Sequence, residues 1–525
     1  MSYLNLLCAF PFVQRAGKKL CIGFSVFFVW WGTVGSSPNA LANTPEPSPP
    51  LKSSQQAALF LGRATFGPKP EEVLALKTKG YNTWLNEQFA SPLCSHLVIY
   101  DRLLAEQGIG VVNGSYQLNA RQKNRSDAWW EAAINCKDQL RQRVAYALSQ
   151  IFVVSEDSTL ALRPRGLVAY EDLLLNHAFG NFRDLLEAVA TSPAMGEYLS
   201  HMDNRKGSAD GTRSPDENFA REIMQLFTIG LVELNQDGTP RRDANGREIE
   251  TYTQEDIASF ARVFTGWTCA DNSSFQWCVR STNSEISPMK AFAQEHDQDQ
   301  KVLLNGTVLP AGQSPQQDLD GALNNLFNHA NVGPFIGKQL IQRLVTSNPS
   351  RAYVARVAAV FNNNGAGQRG DLKAVVKAIL LDNEAIAHTM PGYACTEPCT
   401  FGKLKEPVLK LTALWRAFGA RGISGRLRYD DAQTELGQQA LKSPSVFNFY
   451  RPNHTEAALA QNGLACPECQ IVNDDTVVTT QNRLRSYIYE MSAGANRRDQ
   501  SRHTVLMDFD NGRTLAKPLP HWLSL

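Results

Sequence analysis

The chain has 525 residues, 43% of them hydrophobic and 20% charged, with 52 basic side chains against 51 acidic ones. That balance excludes the strongly basic surface that a nucleic acid or an anionic membrane would select. Beyond the amino terminus no apolar stretch approaches the roughly 20 residues a bilayer span requires, so no membrane span is predicted in the mature chain.

The first forty-odd residues carry Arg15, Lys18 and Lys19 and no acid, then an apolar run from Leu20 to Val34, then Ala40-Leu41-Ala42. This order predicts a secretory signal over residues 1–42 and a periplasmic or extracellular protein. The apolar run is about 15 residues, short for a membrane helix, so cleavage after Ala42 is expected over an uncleaved anchor. Loss of the three cations takes 52 basic residues to 49 against 51 acidic, a net charge of −2. Residues 43–54 contain four prolines and read as a flexible linker. The body then spans 55–525.

Eight cysteines remain after the signal, an even number that reads as disulfides in an exported protein. Short spacings suggest Cys269 with Cys278, Cys395 with Cys399 and Cys466 with Cys469, leaving Cys94 for Cys136. A zinc site from Cys395, Cys399, Cys466 and Cys469 is the alternative. Cys466-Pro-Glu-Cys469 also matches a redox motif, but such a dithiol needs a helix start, and QIVNDDTVV after it reads as non-helical.

Helical spacing dominates, predicting a mainly α, multi-helix globular protein with a small β-hairpin insertion. Trp129, Ala133, Cys136, Leu140, Val144, Leu148 and Ile151 form one stripe of a long helix. Ile257, Phe260, Ala261 and Phe264 mark another, and Ile336, Leu340, Ile341 and Leu344 a third. Leu372, Val375, Val376, Ile379 and Leu380 mark a fourth, with Asp371 as its N-cap. Between Leu231 and Tyr252, Asp237-Gly238 and Asn245-Gly246 each suit a hairpin turn. The polar stretch near 270–315 is the place to divide two lobes. Gly365, Gly367 and Gly370 match a dinucleotide-binding spacing, but the segment before them reads as a helix rather than the strand such a fold requires.

The richest polar segment is SPDENFAREIMQLFTIG, Ser214 to Gly230. Ser214, Pro215 and Glu217 read as N-cap, N1 and N3 of a capping box, and Asp216 suits the positive helix end. Arg221 projects away from the apolar stripe of Phe219, Ile223, Leu226 and Phe227. Glu222 falls on the border of that stripe with Asn218 one turn before it, and a half-buried carboxylate needs a partner or a function. His296 and Asp297, in AQEHDQDQK, supply partner chemistry: with Glu222 they could act as acid and base or hold a divalent metal, Asn218 and Arg221 positioning them. A solvated polar loop is the competing reading of that segment. His177 lies on an apolar helix face and reads as a core histidine, or else as a second base near Glu222. Trp267, Trp277 and Tyr252 could line a sugar-binding groove, and two carboxyl groups on such a groove suffice for glycosidase-type chemistry.

Several motifs taken together resemble the bacterial family called domain of unknown function 1800. They include ALFLGRATFGPKPEEV, HAFGNFRDLLEAV, DENFAREIMQLFTIG, YTQEDIASFARVFTGW, EHDQDQKVLLNG, GKLKEPVLKL and LKSPSVFNFYRP, and the resemblance runs from about Ala58 to about Arg485. It implies an exported, largely helical protein without an established reaction. In that family the genes often sit beside genes for exported sulfatase-like proteins, which implies a shared task on an envelope or extracellular polymer such as a polysaccharide. Two expectations follow: an enzyme acting on such a polymer, or a non-catalytic helical scaffold that binds a sulfatase-like partner.

Overall fold

The structure, a computed structural model, describes residues 51–110, 117–275, 277–278, 281–390, 393, 400–429, 432–489 and 505–507. The expected signal, most of the linker and the Cys395–Cys399 pair lie outside the described residues. The first helix among the described residues is Ser54–Ala64, capped by Ser53, whose side chain accepts from Gln56 N at 3.1 Å. Twenty α-helices and three two-stranded antiparallel pairs make up the described residues, so the protein is mainly α with small hairpins. No helix among them is long and apolar enough to cross a membrane.

The helix stripes read from sequence are buried. Asp371 accepts from Ala374 N at 3.0 Å and opens the helix Leu372–Leu381, whose Val375, Val376 and Ile379 are fully inaccessible. The segment before the glycine triplet is the helix Arg351–Asn362, and Gly365, Gly367 and Gly370 are left-handed turn residues beyond its end, not a cofactor loop. Asp237-Gly238 and Asn245-Gly246 do close turns, but the segments between pair only through the isolated bridges Val232 with Glu250, Leu234 with Pro240 and Arg242 with Glu248. The principal core draws on helices from Ala57 to Leu441. A second cluster packs Trp130, Trp415, Tyr429 and Tyr487, with the Trp130 and Trp415 rings 5.1 Å apart. Each such aromatic pair adds about 0.5–1.5 kcal/mol beyond area burial. Arg416 anchors this cluster through the Gly67 and Ile134 carbonyls at 2.6 and 2.7 Å and through Glu72.

Three local readings need correction. The long stripe from Trp129 to Ile151 is two helices, Leu118–Asn135 and Gln139–Ser149, because Cys136 is extended (φ −62°, ψ 142°) where it is tied to Cys94. The helix predicted from Ser214 starts three residues late, at Asn218; Glu217 is its N-cap residue, and Asp216 accepts from Asn218 N at 2.8 Å in place of the predicted capping box. The segment after Cys469 is helical from Asp474 to Tyr489, since Asn473 accepts from Thr476 N and two acids occupy the first turn. Cys94–Cys136, Cys269–Cys278 and Cys466–Cys469 are disulfides. Cys466 and Cys469 therefore hold no thiolate for zinc.

Candidate acid–base cleft

The predicted site residues fall into separate environments. Glu222 is buried beside the apolar stripe, and its Oε2 has no hydrogen-bond partner among the described residues. Burial raises its carboxyl above the usual range, with Arg221 only partly opposing. Its charge reaches the Tyr198 and Tyr252 hydroxyls; that of Tyr198 is pushed up to about 12 by burial, with Glu222 and then Asp157 adding to the effect. Arg221 pairs with Glu217 at 3.3 Å, and Asn218 is exposed.

His296 and Asp297 lie elsewhere, in a closed network. Gly266, at φ +84°, lets their loop approach so tightly that a Cβ there would stand 2.8 Å from the Phe292 carbonyl. His296 is inaccessible, its Nδ1 3.0 Å from the Thr265 carbonyl and its Nε2 3.0 Å from Asp318 Oδ2. Lys301 sits 2.7 Å from Asp318 and 3.3 Å from Asp297, and Arg262 grips Asp297 through two hydrogen bonds of 3.0 and 2.8 Å. Burial opposes ionisation of Asp297, but the Arg262 hydrogen bond, its charge and that of Lys301 hold the carboxyl below its usual range. His296 and Lys301 are thus withdrawn from water, while Asp299 and its neighbours face it as in the competing reading. No hydrogen bond or ion pair joins Glu222 to either residue, and the three form no metal-ligand group among the described residues. The trio that does bring ligand atoms within 4.8 Å of one another is Cys94, Cys136 and Asp138, whose two sulfurs are already bonded together. His177 is half-buried at the end of the helix Pro164–His177, where burial lowers its pKa and Asp184 is the charge that opposes.

A group of acidic and basic side chains that the sequence did not reveal gathers at a small cleft. Its lining includes the apolar residues Leu160, Pro193, Ala194 and Met202, and its non-atom space is about 300 Å³ with the open solvent at its mouth counted. Facing them are Arg163, Glu197, Ser284, Glu285 and the Cys269–Cys278 disulfide. Arg163 is the residue before Pro164, which suits the first position of its helix. Glu197 is next to last in the short helix Pro193–Tyr198. Glu285 rides on a turn in which Ile286 N and Ser287 N donate to the Asn283 carbonyl, and Ser281, Asn283 and Ser284 bind the Asp271 carboxylate beneath it. Gly166 leaves space for that turn, since a Cβ would stand 3.2 Å from the Glu285 carbonyl.

The two carboxyl groups share one guanidinium. Arg163 Nε is 3.6 Å from Glu197 Oε2, and its Nη1 is 3.9 Å from Glu285 Oε1. Sharing Arg163 keeps them within roughly 10 Å of each other, the span that hydrolysis by a carboxyl pair uses. Glu285 Oε1 accepts no hydrogen bond among the described residues, and the side chain is 5% exposed. Burial raises the Glu285 pKa to about 7, outweighing the opposing pull of Arg163, Arg121 and Arg165, while Glu197 adds to the rise. A carboxyl poised near neutrality can give a proton and take it back. Trp277, one residue before Cys278, is 87% exposed, and Cys278 N donates to Asp203 at 3.2 Å to hold the loop in place. Trp267, by contrast, is core.

A second cavity, lined by Phe66, Trp129, Tyr146 and His96, holds a closed pair. His96 Nδ1 lies 3.1 Å from Glu171 and Nε2 2.7 Å from Gln142 Oε1. Burial pulls the His96 pKa down, but the charge and hydrogen bond of Glu171, with Asp172 and Gln142, carry it up to about 9. With both nitrogens bonded it is a poor base.

Fold and cleft together define a mainly helical protein with a carboxyl pair in a cleft that Cys278, the neighbour of exposed Trp277, also lines. The family model described as "Protein of unknown function (DUF1800)" matches residues 59–518, and the chain belongs to that family. No curated protein and no solved structure matches it.

Proposed function

We propose that this chain is an acid–base enzyme that acts outside the cytoplasm on a polysaccharide. One observation carries the reading: a buried carboxyl with an unpartnered oxygen, Glu285, shares Arg163 with a second carboxyl in an open cleft. Glu285 gives its proton to the leaving glycosidic oxygen as the C–O bond breaks. Glu197, 3.6 Å from Arg163, takes a proton from the water that attacks the anomeric carbon, and exchange with solvent resets both groups. Trp277 offers an apolar face for a sugar ring, and the three disulfides suit an oxidising compartment.

The test is release of reducing ends from a panel of bacterial polysaccharides by the purified chain between pH 5 and 8. Glu285→Gln and Glu197→Gln each lower kcat by about 10²–10⁴-fold. Turnover unchanged in either variant sinks the assignment. Release from no polysaccharide, with tight capture of a sulfatase-like partner instead, favours the scaffold.

A further inference from the structure

Buried arginines in this chain are mostly matched by carboxylates: Arg125 by Glu156, Arg416 by Glu72 and Arg428 by Asp127. One cluster departs from that pattern, where the helices Gln139–Ser149 and Val332–Leu344 meet the start of the helix Pro407–Ala417. Arg143 and Arg343 are 1% and 2% exposed, and their hydrogen bonds go to backbone carbonyls. Arg143 Nη2 donates to the Arg343 carbonyl at 2.6 Å, while Arg343 donates to the Gln339 and Gln150 carbonyls at 3.2 and 2.9 Å. Arg143 Nε and Nη1 and Arg343 Nε have no partner among the described residues.

The nearest carboxylates are already occupied. Glu406 accepts from the neutral donors Tyr146, Gln150, Gln438 and Tyr450 at 3.0, 2.6, 2.6 and 3.2 Å, with Lys403 Nζ 3.9 Å from its Oε1. Glu468 is taken by Lys403. Lys405 is half-buried and makes no hydrogen bond or ion pair among the described residues; its ammonium faces Gly62, whose added Cβ would stand 3.8 Å from Nζ. Burial lowers the Lys405 pKa to about 8, and the charges of Arg143, Lys410 and Lys403 add to the drop. Arg143, Arg343, Lys403, Lys405 and Lys410 stand against Glu406 and Glu468, a surplus of three positive charges that a doubly charged anion would cut to one. Buried charge without a counter-charge is strongly destabilising, so the arrangement calls for an anion.

We propose that this cluster binds a tetrahedral oxyanion, a phosphate or sulfate group, which enters at the Gly62–Lys405 edge and is held by Lys405 and the free N–H groups of Arg143. A doubly charged oxyanion offsets most of the surplus, and a guanidinium fork suits its geometry. The site is independent of the carboxyl cleft.

The test is thermal unfolding of the full chain at pH 7 and fixed ionic strength, with inorganic phosphate, sulfate or glucose 6-phosphate replacing chloride. Binding raises the midpoint with concentration in the wild type. Lys405→Met weakens the phosphate response at least tenfold. Gly62→Asp, which places a carboxylate beside Lys405, raises the midpoint in chloride and removes the phosphate response even if Lys405→Met fails to fold. Tighter binding of glucose 6-phosphate than of phosphate marks a phosphate ester as the ligand; the reverse marks the free ion. An equal phosphate response in the wild type and Gly62→Asp, or none beyond the chloride control, overturns the site.

Discussion

Two carboxylate clusters, at His296 and at Glu285, show how neighbouring charges diverge in role. Around His296 each carboxylate has a basic partner within 3.3 Å: Asp318 has His296 and Lys301, Asp297 has Lys301 and Arg262, and only Asp318 Oδ1 accepts no hydrogen bond among the described residues. Around Glu285 the nearest cation stands at 3.9 Å, and one carboxyl oxygen accepts nothing. The first arrangement fixes a loop against the helix Gln254–Val263, and the second leaves a proton free to move. Proximity of histidine and aspartate in sequence marked the closed cluster as chemical, whereas reactivity goes with the incomplete one.

The largest effect expected from this contrast is structural. Asp318→Ala leaves Lys301 buried with half its partners gone and costs about 3–5 kcal/mol in urea unfolding; a loss below 1 kcal/mol would erase the distinction between the clusters. Next comes the pH dependence of Glu285. Its folded pKa of about 7 lies above the unfolded value of 4.5, so the folded chain holds a proton that the unfolded chain releases, and stability falls as pH rises from 4.5 to 7. Glu285→Gln removes that decline, a gain on the order of 2–3 kcal/mol at pH 8 relative to pH 4; an unchanged pH profile would show the carboxyl to be ionised normally.

His96 sharpens the comparison from the basic side. Its folded pKa of about 9 exceeds the unfolded 6.5, so its stabilisation is full below pH 6.5 and disappears as pH climbs through 9. Titration of the imidazole by NMR near 6.5 instead would separate it from Glu171. The smallest effect belongs to Trp277→Ala. With the side chain 87% exposed, stability shifts by less than about 0.5 kcal/mol, while KM for a polysaccharide substrate rises with kcat nearly unchanged. A large stability loss would mean that the indole is packed rather than presented.

Much of the fold was legible before any coordinates. Asp371 as an N-cap and the buried faces at Ile257 and Ile336 depend on spacing along one chain, and local hydrogen bonding and helical periodicity enforce them; Cys94 with Cys136 followed only by elimination of the short-spaced pairs. The break at Cys136 was not legible, because the stripe continues through it and only the bond to Cys94, 42 residues away, forces the extended turn. The late start at Asn218 escaped for a similar reason: Asn204 accepts from Asp216 N at 2.9 Å and holds the preceding residues out of the helix.

For the candidate site, sequence singled out Glu222 as a carboxylate on the edge of an apolar stripe, and its burial follows from helix geometry alone. Arg163, Glu197 and Glu285 carried no comparable signal, since they come from a helix start, a helix end and a turn spread over more than a hundred residues. Sequence by itself determined the helical class, the family and which faces turn inward, because those rest on periodicity and local caps. Only the tertiary structure decided which charges are answered and which are left open, because a pKa is set by whatever distant segments pack around the group.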